Sequence, residues 1–327
     1  MRVLVCGGAG YIGSNMTALL SAEGYEPVVF DNLSTGHRQA IRDAEFVQGD
    51  LADYDLLVGT LREYGIKAVM HFAAFIEVGE SVQLPLKYYR NNLCCTQNLL
   101  SAMETAGVKK FVFSSTAAVY GIPGDMPITE NSPTEPINPY GQTKLAVEKM
   151  CHYQSQAGKL AYVLLRYFNT CGAGKSATLG EDHRPESHLI PLTIQAAMGK
   201  RREITIYGTD YETPDGTCIR DYIHIDDLCR AHLLALNRLD ESSERIYNLG
   251  NERGHSVREV IETVKKVSGK DFKVTEASRR DGDAPILTAD ASKARKELGW
   301  QIEKPELEKM VSTAWQWHNE HPDGYQD

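Results

Sequence analysis

Short apolar runs alternate with stretches of helical periodicity over the first half of the chain. Buried strands are predicted at 3–6, 27–31, 45–49, 68–73, 110–115 and 161–168. Helical stretches lie between them, near 12–23, 54–64, 87–106 and 139–157, and the second and third of these carry their leucines on one stripe. This alternation predicts βαβ units on a parallel, doubly wound sheet, and therefore the α/β fold class.

The pattern changes after Asn169. Segment 172–185 is rich in glycine, charged and small residues and predicts a long loop, a feature that is often functional. We then expect a helix near 190–199, a strand at 203–207, an irregular segment to Arg220, and helices near 226–239, 256–268 and 305–319. Residues 1–169 should form one domain. Residues 170–327 should mainly form a smaller α/β lobe over the carboxyl ends of the strands, with some segments crossing back.

Composition narrows the class of protein. The chain has 327 residues with 42% hydrophobic and 24% charged residues, which are ordinary globular values. Its net charge is -9, whereas a protein that binds nucleic acid normally carries a positively charged surface, so this class is disfavoured. Seven cysteines without a C-x-x-C pair indicate reduced thiols. The first apolar stretch is too short for a signal peptide, and no run approaches the ~18 residues of a membrane span. We expect a cytoplasmic protein that binds neither nucleic acid nor membrane.

Three glycines directly after the first predicted strand indicate a nucleotide site. They are Gly7, Gly10 and Gly13. In this motif the first glycine allows a tight turn, the second lets the backbone approach a pyrophosphate, and the third permits close packing of helix and strand. Glycines alone are also compatible with a plain structural turn. However, Asp31 ends the next strand, where a carboxylate holds the ribose diol and repels a 2′-phosphate. The combination favours a Rossmann-type sheet that binds NAD, not NADP.

Further residues at the strand ends could line this site. Asp50 and Leu51 could bracket the adenine, although a plain turn explains them nearly as well, and Phe72 and Ala73 would lie under the cofactor. His71 is better explained as a core histidine. The chain lacks H-E-x-x-H, Cys/His quartet and G-x-S-x-G motifs, so no metal site and no acyl-transfer site is predicted.

A tyrosine and a lysine fall one turn apart on the helix that follows Asn138 and Pro139. Tyr140 and Lys144 share one face of that helix. A free tyrosine, with a pKa of about 10, is a poor base at neutral pH, but a nearby ammonium and a cationic nicotinamide ring would both lower that value. Tyr140 is therefore the predicted catalytic base, assisted by Lys144. Thr116, after the fifth strand, is the predicted partner of the reacting substrate oxygen, with strand capping as the alternative.

These motifs resemble the extended short-chain dehydrogenase/reductase family, and within it the 4-epimerases of nucleotide sugars. The resemblance runs nearly end to end, through G-G-A-G-Y-I-G-S, D-N-L-S, G-D-L, H-F-A-A, V-G-E-S, Y-G-Q-T-K, L-R-Y-F-N, R-D-Y-I-H and Y-N-L-G-N. It implies NAD-dependent 4-epimerisation of UDP-hexoses, namely UDP-glucose and UDP-galactose, through a 4-keto intermediate. It also implies a homodimer joined by the helices near 87–106 and 139–157.

The resemblance assigns further site residues. Cofactor contacts would come from Tyr11, Ile12, Asn32, Asn91, Tyr140, Lys144 and Tyr167. The UDP-sugar would contact Thr116, Asn169, His188, Leu189, Tyr207, Arg220, Arg280, Asp283 and Leu287. The two arginines suit a diphosphate because their planar donors bind pairs of oxygens, although Arg280 could also be a solvated surface residue.

Several positions depart from related sequences. Related dehydratases carry Asp-Glu after the matching hydroxyl residue, whereas this chain has Ala117 and Ala118, which cannot move a proton and so argue against elimination. Ile76 replaces a lysine, and His188 an asparagine. Leu287 occupies a gatekeeper position, where its intermediate size predicts UDP-glucose and UDP-galactose first and weak activity on the N-acetyl pair.

Three alternatives remain open from the sequence. The chain could be an ordinary NAD-linked oxidoreductase, or a 4-epimerase of another UDP-sugar such as an N-acetylhexosamine, a pentose or a uronate. It could also be a non-catalytic NAD-sensing protein, although such a protein has no need of Tyr140, Lys144 and Thr116.

Overall fold

The computed structural model describes residues 1–174, 178–240, 243–280 and 282–326. The strands are β1 (Arg2–Cys6), β2 (Glu26–Asp31), β3 (Glu45–Gln48), β4 (Ala68–His71), β5 (Lys110–Ser114), β6 (Ala161–Tyr167), β7 (Asn169–Cys171), β8 (Glu203–Tyr207), β9 (Ile219–His224), β10 (Glu244–Leu249), β11 (Gly254–Ser256), β12 (Lys273–Ala277) and β13 (Ile286–Leu287). The α-helices are α1 (Tyr11–Ala22), α2 (Tyr54–Glu63), α3 (Val78–Gln83), α4 (Pro85–Tyr88), α5 (Cys95–Ala106), α6 (Pro139–Gln156), α7 (Leu189–Ala197), α8 (Ile225–Asn237), α9 (Val257–Ser268), α10 (Ser292–Leu298) and α11 (Leu307–Glu320).

A seven-stranded sheet forms the centre of the molecule. Its order is β10-β6-β5-β4-β1-β2-β3, and every neighbouring pair is parallel. The chain moves outward from β1 in one direction and then returns to place β4 on the other side of β1. In such sheets ligands bind outside the carboxyl ends of the strands at this switch point. The predicted doubly wound α/β fold is confirmed.

The predicted strands of the first half are confirmed within one or two residues, but the helix expected over 87–106 is interrupted. A π-helical segment, Tyr89–Cys94, separates α4 from α5. The apolar period continues through this segment, so the sequence pattern alone does not reveal the extra residue in the turn. Such π turns occur frequently at functional sites.

The second half contributes to both the large sheet and a smaller one. β10 pairs with β6 in the large sheet. β9 lies in the smaller sheet between β11 and β13 and also pairs with β7, while β12 pairs with β8. The segment expected to be irregular up to Arg220 therefore leads directly into a buried strand. The short strands β7, β11 and β13 carry too few residues to show a period of two.

The long loop predicted at 172–185 contains no helix or strand among its described residues, and positions 175–177 lie outside the described part. The largest buried cluster joins both halves of the chain, since Trp300 packs with Val3, Val5 and Met16. Over the described residues, the structure contains no helix that combines the length and apolar character of a membrane span.

Candidate functional site

The turn after β1 is built on glycine for steric reasons. Gly7 has a φ of +78°, and a Cβ there would lie 2.5 Å from the backbone nitrogen of Ala73. A Cβ on Gly13 would lie 2.1 Å from the carbonyl oxygen of Gly7. By contrast, a Cβ on Gly10 would meet only that carbonyl oxygen, at 3.5 Å. The turn is therefore tightly packed against the sheet but open beside Gly10, where a pyrophosphate needs room.

The amino terminus of α1 presents uncapped backbone donors. Gly10 is the N-cap, no side chain caps the helix, and its first turn holds no acidic residue. The Tyr11 hydroxyl donates to the carbonyl oxygen of Gly172 at 2.6 Å, and Ile12 packs against the core. The side chains of Tyr11 and Ile12 thus contact other parts of the protein. Their backbone N–H groups are the atoms that an anion at this helix end would bind.

Asp31 lies at the carboxyl end of β2 with its carboxylate held in place. It accepts the N–H groups of Ala9 at 3.0 Å and Leu33 at 2.8 Å. Burial raises the pKa of Asp31, while these two hydrogen bonds lower it. A cavity of about 240 Å³ is lined by residues 33–38 and Arg184. An oriented carboxylate beside a cavity fits the ribose-binding role that the sequence predicts.

A hydrogen bond links the two segments that follow β2 and β3, which contain Asn32 and Asp50 with Leu51, respectively. The Asn32 side chain donates to Asp50 Oδ2 at 2.8 Å, and Asp50 Oδ1 accepts the N–H of Ala52 at 2.8 Å. Leu51 is buried, and its carbonyl oxygen accepts a hydrogen bond from Asn98 at 2.6 Å. Asp50 therefore shapes the turn, and the turn brings these residues to the edge of the sheet where the adenine contact is predicted.

Phe72 and Ala73 extend the pairing of β4 with β1 beyond the strands. Both N–H groups donate to the carbonyl oxygen of Cys6, at 2.8 and 3.1 Å. This arrangement places the two residues directly against Gly7. The predicted floor of the cofactor site and the glycine turn are thus adjacent at the switch point of the sheet.

His71 lies in the core, as the sequence predicts, but only one of its ring nitrogens has a partner. Its side chain is buried, with Nε2 2.8 Å from Thr96 Oγ1, while Nδ1 has no hydrogen-bond partner in the described part of the chain. Burial lowers the pKa of His71 to about 3. A ring that stays neutral at physiological pH is not suited to acid–base catalysis here.

The π turn contains Asn91 and a neighbouring asparagine that the sequence reasoning missed. The Asn91 side chain donates to Asn92 Oδ1 at 3.0 Å. Asn92 is buried and forms two hydrogen bonds of 2.9 Å with the backbone of Phe75. Asn92 therefore fixes the loop after β4. Asn91, which is bonded to Asn92, is itself half-buried.

Tyr140 and Thr116 are brought together at the end of β5. Asn138 caps α6 by accepting the N–H of Gly141 at 2.9 Å, and Pro139 is the first helical residue. Tyr140 therefore lies in the first turn of α6, with its phenol close to the Thr116 side chain. Burial raises the pKa of Tyr140, and the neighbouring Thr116 hydroxyl lowers it.

The expected effect of Lys144 on Tyr140 is wrong for this structure. The Lys144 ammonium donates to the carbonyl oxygen of Ser114 at 2.8 Å and lies over the ring of Phe113. Burial lowers the pKa of Lys144 to about 7, and Glu148 opposes this change. Because the lysine is directed at a backbone carbonyl and Tyr140 is itself buried, the pKa of the phenol is raised, not lowered.

Tyr167 lies at the end of β6 near the same site. Its hydroxyl is hydrogen-bonded to the Ser114 side chain, and burial raises its pKa. Ser114 Oγ is also 3.1 Å from Nε2 of His232, a buried residue of α8. Tyr167 is therefore placed beside the end of β5, where the cofactor contact is predicted.

A buried network under α6 was not found from the sequence. Glu148 accepts two hydrogen bonds from Arg166, at 2.9 and 2.5 Å, and one from Ser115 at 2.5 Å. Arg166 also donates to the Tyr120 hydroxyl, which donates to Asn248. Arg166 belongs to the L-R-Y-F-N motif, so a charged residue inside a predicted buried strand was the available signal.

The predicted diphosphate ligands are paired within the protein. Arg220 donates to the carbonyl oxygen of Ala284 at 2.8 Å and to Asp283 Oδ1 at 3.2 Å. The Arg280 guanidinium lies 3.9 Å from the ring centre of Tyr207. The structure therefore brings Arg220 and Asp283 together, and Arg280 and Tyr207 together, as the sequence alone could not show.

Asn169, His188 and Leu189 occupy the border of the second lobe. The Asn169 side chain donates to the carbonyl oxygen of Asp221 at 2.9 Å. His188 is the N-cap of α7, and Leu189 is its first residue. The Nδ1 atom of His188 faces the carboxylate of Glu186 at 2.9 Å, so this nitrogen is not free for a substrate.

The remaining predicted positions carry no titratable group. Leu287 pairs with Arg220 across β13 and β9, and like Ala117 it packs against the buried cluster of Val119, Tyr120, Ile128 and Leu145. Ala118 donates its N–H to Thr116 Oγ1 at 3.1 Å. Ile76, in the loop before α3, is half-buried. The region around Thr116 thus offers no second acid or base at positions 117 and 118.

The residues present fit a dinucleotide. The open space beside Gly10, the uncapped amino terminus of α1 and the oriented Asp31 carboxylate follow one another along the switch point of the sheet. Tyr140 lies in the first turn of α6, close to Thr116, which follows β5. These features match what a diphosphate, a ribose diol and a reactive ring require of a protein.

Comparisons with known proteins agree with this geometry. Residues 3–250 match the model of the NAD dependent epimerase/dehydratase family. The chain is 50% identical over 326 residues to a UDP-glucose 4-epimerase of Halalkalibacterium halodurans, covering 99% of this chain and 98% of that protein. A crystal structure of UDP-glucose 4-epimerase from Brucella ovis in complex with NAD is 48% identical, has a TM-score of 0.94 and covers 97% of this chain and 98% of its own.

A third similar protein is the UDP-Glc/GlcNAc 4-epimerase from Campylobacter jejuni. Its structure is 45% identical, with a TM-score of 0.86, and the match covers 98% of this chain and 99% of that chain. The family match covers most of the chain, and these relatives match it almost end to end. The resemblance inferred from the motifs is therefore confirmed, and the chain belongs to the NAD dependent epimerase/dehydratase family.

Proposed function

We propose that this protein is an NAD-dependent isomerase that inverts carbon 4 of UDP-hexoses, interconverting UDP-glucose and UDP-galactose. The observation that carries the proposal is the position of Tyr140, in the first turn of α6 and close to Thr116, beside the same sheet as the dinucleotide-type turn. Ala117 and Ala118 leave that pair without the additional acid and base that elimination requires. The names of the relatives support the same reaction.

Bound NAD would supply acceptance and return of hydride at carbon 4. Tyr140 would take the proton of the sugar 4-hydroxyl and return it after the sugar has turned over. Thr116 would bind the same oxygen, because its side chain lies close to the phenol. Lys144 would hold the cofactor from the same helix, α6. The protein thus supplies orientation and proton transfer.

The cofactor residues are proposed from their positions along the switch point. Backbone groups of the first turn of α1 would bind the diphosphate, and Asp31 the ribose. The full set is Gly7, Gly10, Tyr11, Ile12, Gly13, Asp31, Asn32, Asp50, Leu51, Phe72, Ala73, Asn91, Tyr140, Lys144 and Tyr167. Residues 1–169 would hold NAD, and residues 170–327 mainly the UDP-sugar.

Some of the proposed substrate-binding residues, such as Arg220, now contact other residues of the protein, and they would replace these contacts with contacts to the UDP-sugar. Arg220 is anchored by a backbone carbonyl, and only its contact with Asp283 is replaceable by a diphosphate. The Arg280 guanidinium stacks on the Tyr207 ring. Thr116, Asn169, His188, Leu189 and Leu287 complete the proposed set.

Incubation with UDP-galactose in the absence of added NAD tests the function. We expect UDP-glucose to form, as followed by NMR, without accumulation of free NADH. Tyr140→Phe should abolish turnover while the protein still binds UDP-sugar. Tyr153→Phe, on the exposed face of the same helix, is the matched control and should remain active. Net NADH release, or full activity of Tyr140→Phe, would contradict the proposal.

The sugar range depends on Leu287. We propose that UDP-glucose and UDP-galactose are the preferred pair, with weaker activity on the N-acetylated pair, because leucine leaves a pocket of intermediate size. Leu287→Tyr should lower kcat/KM for UDP-N-acetylglucosamine more than for UDP-glucose. Equal values for both pairs in the unmodified enzyme would refute the preference.

We propose a homodimer joined by the helices near 87–106 and 139–157, with exposed residues of the neighbouring α3 and α4 beside them. Large apolar side chains are exposed there, with Leu86 80%, Tyr153 71% and Val82 62% accessible. Contiguous exposed apolar surface marks interaction sites. Leu86→Asp should produce a monomer in light scattering, whereas Ile122→Asp, an exposed apolar residue outside these helices, should not.

We also propose that the protein works in the cytoplasm. All seven cysteines are unpaired, and six of them are buried. Free thiols persist in a reducing compartment. Cell fractionation with an antibody to the protein tests this location.

A further inference from the structure

Four side chains of a metal-binding type meet in the loop between β7 and α7. They are Glu181, His183, Glu186 and His188, spaced as E-x-H-x-x-E-x-H. One ligand atom from each lies within 4.8 Å of all the others. This spacing differs from the zinc motifs considered in the sequence analysis, which is why no metal site was predicted there.

Four nitrogen–oxygen distances within the group are compatible with a tetrahedral coordination shell. His188 Nδ1 lies 3.0 Å from Glu181 Oε1 and 2.9 Å from Glu186 Oε1. His183 Nδ1 lies 3.3 Å from Glu181 Oε1 and 3.6 Å from Glu186 Oε2. An ion with bonds of about 2.0–2.1 Å places tetrahedral ligands about 3.3 Å from one another. The four nitrogen–oxygen separations lie around that value.

Ion pairing leaves one nitrogen of this group, His183 Nδ1, without a hydrogen bond in the described ranges. An imidazole N–H points in one direction, so it cannot donate well to two different carboxylates. His183 Nδ1 is buried and has no hydrogen-bond partner among the residues that the structure describes. The carboxylates are nearly inaccessible, with 6% of the Glu181 and 5% of the Glu186 side chain exposed. A cation at the centre would satisfy all four groups together.

The surrounding contacts orient the ligands. Glu186 Oε1 accepts the backbone N–H of His188 at 2.8 Å. Asp182 and Arg184, which lie between these ligands in the sequence, contact the end of the chain instead. Arg184 donates to the carbonyl oxygen of Tyr325 at 2.9 Å, and the N–H of Tyr325 donates to Asp182 at 3.0 Å. The loop is therefore fastened on its outer side, so that its inner side chains converge. Such outer contacts are a regular part of metal sites.

We propose that Glu181, His183, Glu186 and His188 bind one Zn²⁺ ion. Two imidazole nitrogens and two carboxylate oxygens suit a borderline ion with tetrahedral preference. Four protein ligands leave no open position, so the ion is structural and does not activate water. A cavity of about 220 Å³ is lined by Glu181, His183 and Glu186 and provides a path for the ion.

The ion would fasten this loop against both the glycine turn and the substrate lobe. The His183 ring contacts the Tyr11 ring edge-on, with centres 6.4 Å apart. Ser187 donates to Glu77 at 2.9 Å, and His188 caps the helix that begins at Leu189. Zinc would thus hold the start of α7 in place. Only this last consequence, for substrate contact, rests on the proposed function.

Metal content and ligand geometry test the site directly. The full-length protein is treated with a chelator, loaded with zinc sulfate or cobalt chloride, desalted and measured by plasma mass spectrometry and visible absorption. We expect one zinc per chain, a higher Tm with zinc, and the intense visible bands of tetrahedral cobalt. His183→Gln and Glu186→Gln should each lose both signals. His255→Gln, which breaks an imidazole–carboxylate pair of 2.7 Å with Glu259 elsewhere, should keep them.

Three results would overturn the proposal. They are substoichiometric zinc in the unmodified protein, a weak octahedral cobalt spectrum, and variants that fold by circular dichroism yet retain zinc. If the variants do not fold, the stoichiometry and cobalt spectrum of the unmodified protein decide. Tyr140→Phe should retain zinc while losing turnover, so failure of the zinc site and failure of the proposed function are distinguishable.

Discussion

Lys144 shows how burial sets the chemistry of a single residue. Its pKa is lowered to about 7 from its ordinary value of 10.5, and burial is the main cause. Between these values the unfolded chain binds a proton that the native protein does not, so the free energy of unfolding rises with pH in this window. We predict that Lys144→Met abolishes turnover and, in protein freed of dinucleotide, is more stable than the unmodified protein at pH 6.

The stability advantage of Lys144→Met should shrink as pH increases from about 7, by up to ~1.4 kcal/mol per pH unit. Thermal or urea unfolding at several pH values measures it. Lys159→Met removes an exposed lysine that pairs with Glu104 and should show no such dependence. A constant difference between Lys144→Met and the unmodified protein across this range would contradict the assigned direction.

The ion pair of Arg166 and Glu148 is buried, with 5% and 4% of the side chains exposed. Removing one partner leaves an uncompensated charge in the interior. We predict that Arg166→Met lowers the free energy of unfolding by about 3–5 kcal/mol. Combining it with Glu148→Leu should recover much of that loss, because neither charge then remains. Urea denaturation measures both variants.

A surface pair provides the comparison for Arg166. Arg258 lies 3.1 Å from Glu276 with both side chains substantially exposed. Arg258→Met should therefore change stability by no more than about 1 kcal/mol. Equal effects of Arg166→Met and Arg258→Met would show that burial does not govern the strength of the inner pair.

At the scale of elements, Asp221 joins strands that are far apart in sequence. It lies on β9 and accepts the backbone N–H groups of Asn251, Glu252 and Ala289, at 2.6, 3.0 and 3.0 Å. We predict that Asp221→Asn lowers the free energy of unfolding by about 1–3 kcal/mol, because the amide replaces an acceptor with a donor facing N–H groups. The same change at exposed Asp271 should have a smaller effect in urea denaturation.

The helix around Asn91 shows where an element-level prediction fails. The leucine stripe of 87–106 is compatible with one continuous helix, yet the π segment Tyr89–Cys94 interrupts it. Asn92 bonds to the loop at Phe75, a contact between segments that are not adjacent in the chain. Periodicity reports which face is buried, but it carries no information about such a partner.

At the scale of the whole molecule, the two lobes share one core. Trp300, in the last part of the chain, packs in the same cluster as Val3 and Val5 of β1. All three tryptophans lie at or after position 300, so their fluorescence reports on the end of the chain. We predict that fluorescence and far-UV circular dichroism give coincident urea transitions. Two separated transitions would show that the lobes unfold independently.

The sequence by itself determined six of the seven strands of the large sheet and the position of its binding edge, whereas β10 was not predicted. The alternating pattern predicted its first six strands, and Gly7, Gly13, Asp31 and Tyr140 were identifiable because local geometry demands their residue types at those spacings. The capping of α6 by Asn138 was likewise readable, since a cap and its helix are neighbours in the chain. The family motifs then indicated the reaction.

Only the tertiary structure decided which side chains meet. The partner of Lys144, the pairing of Arg220 with Asp283, and the group formed by Glu181 and His183 depend on how separate loops and strands pack. The direction of the pKa of Tyr140 was wrong from the sequence for the same reason, because burial is a property of the folded chain. Local patterns specify elements, whereas contacts between elements set the electrostatics.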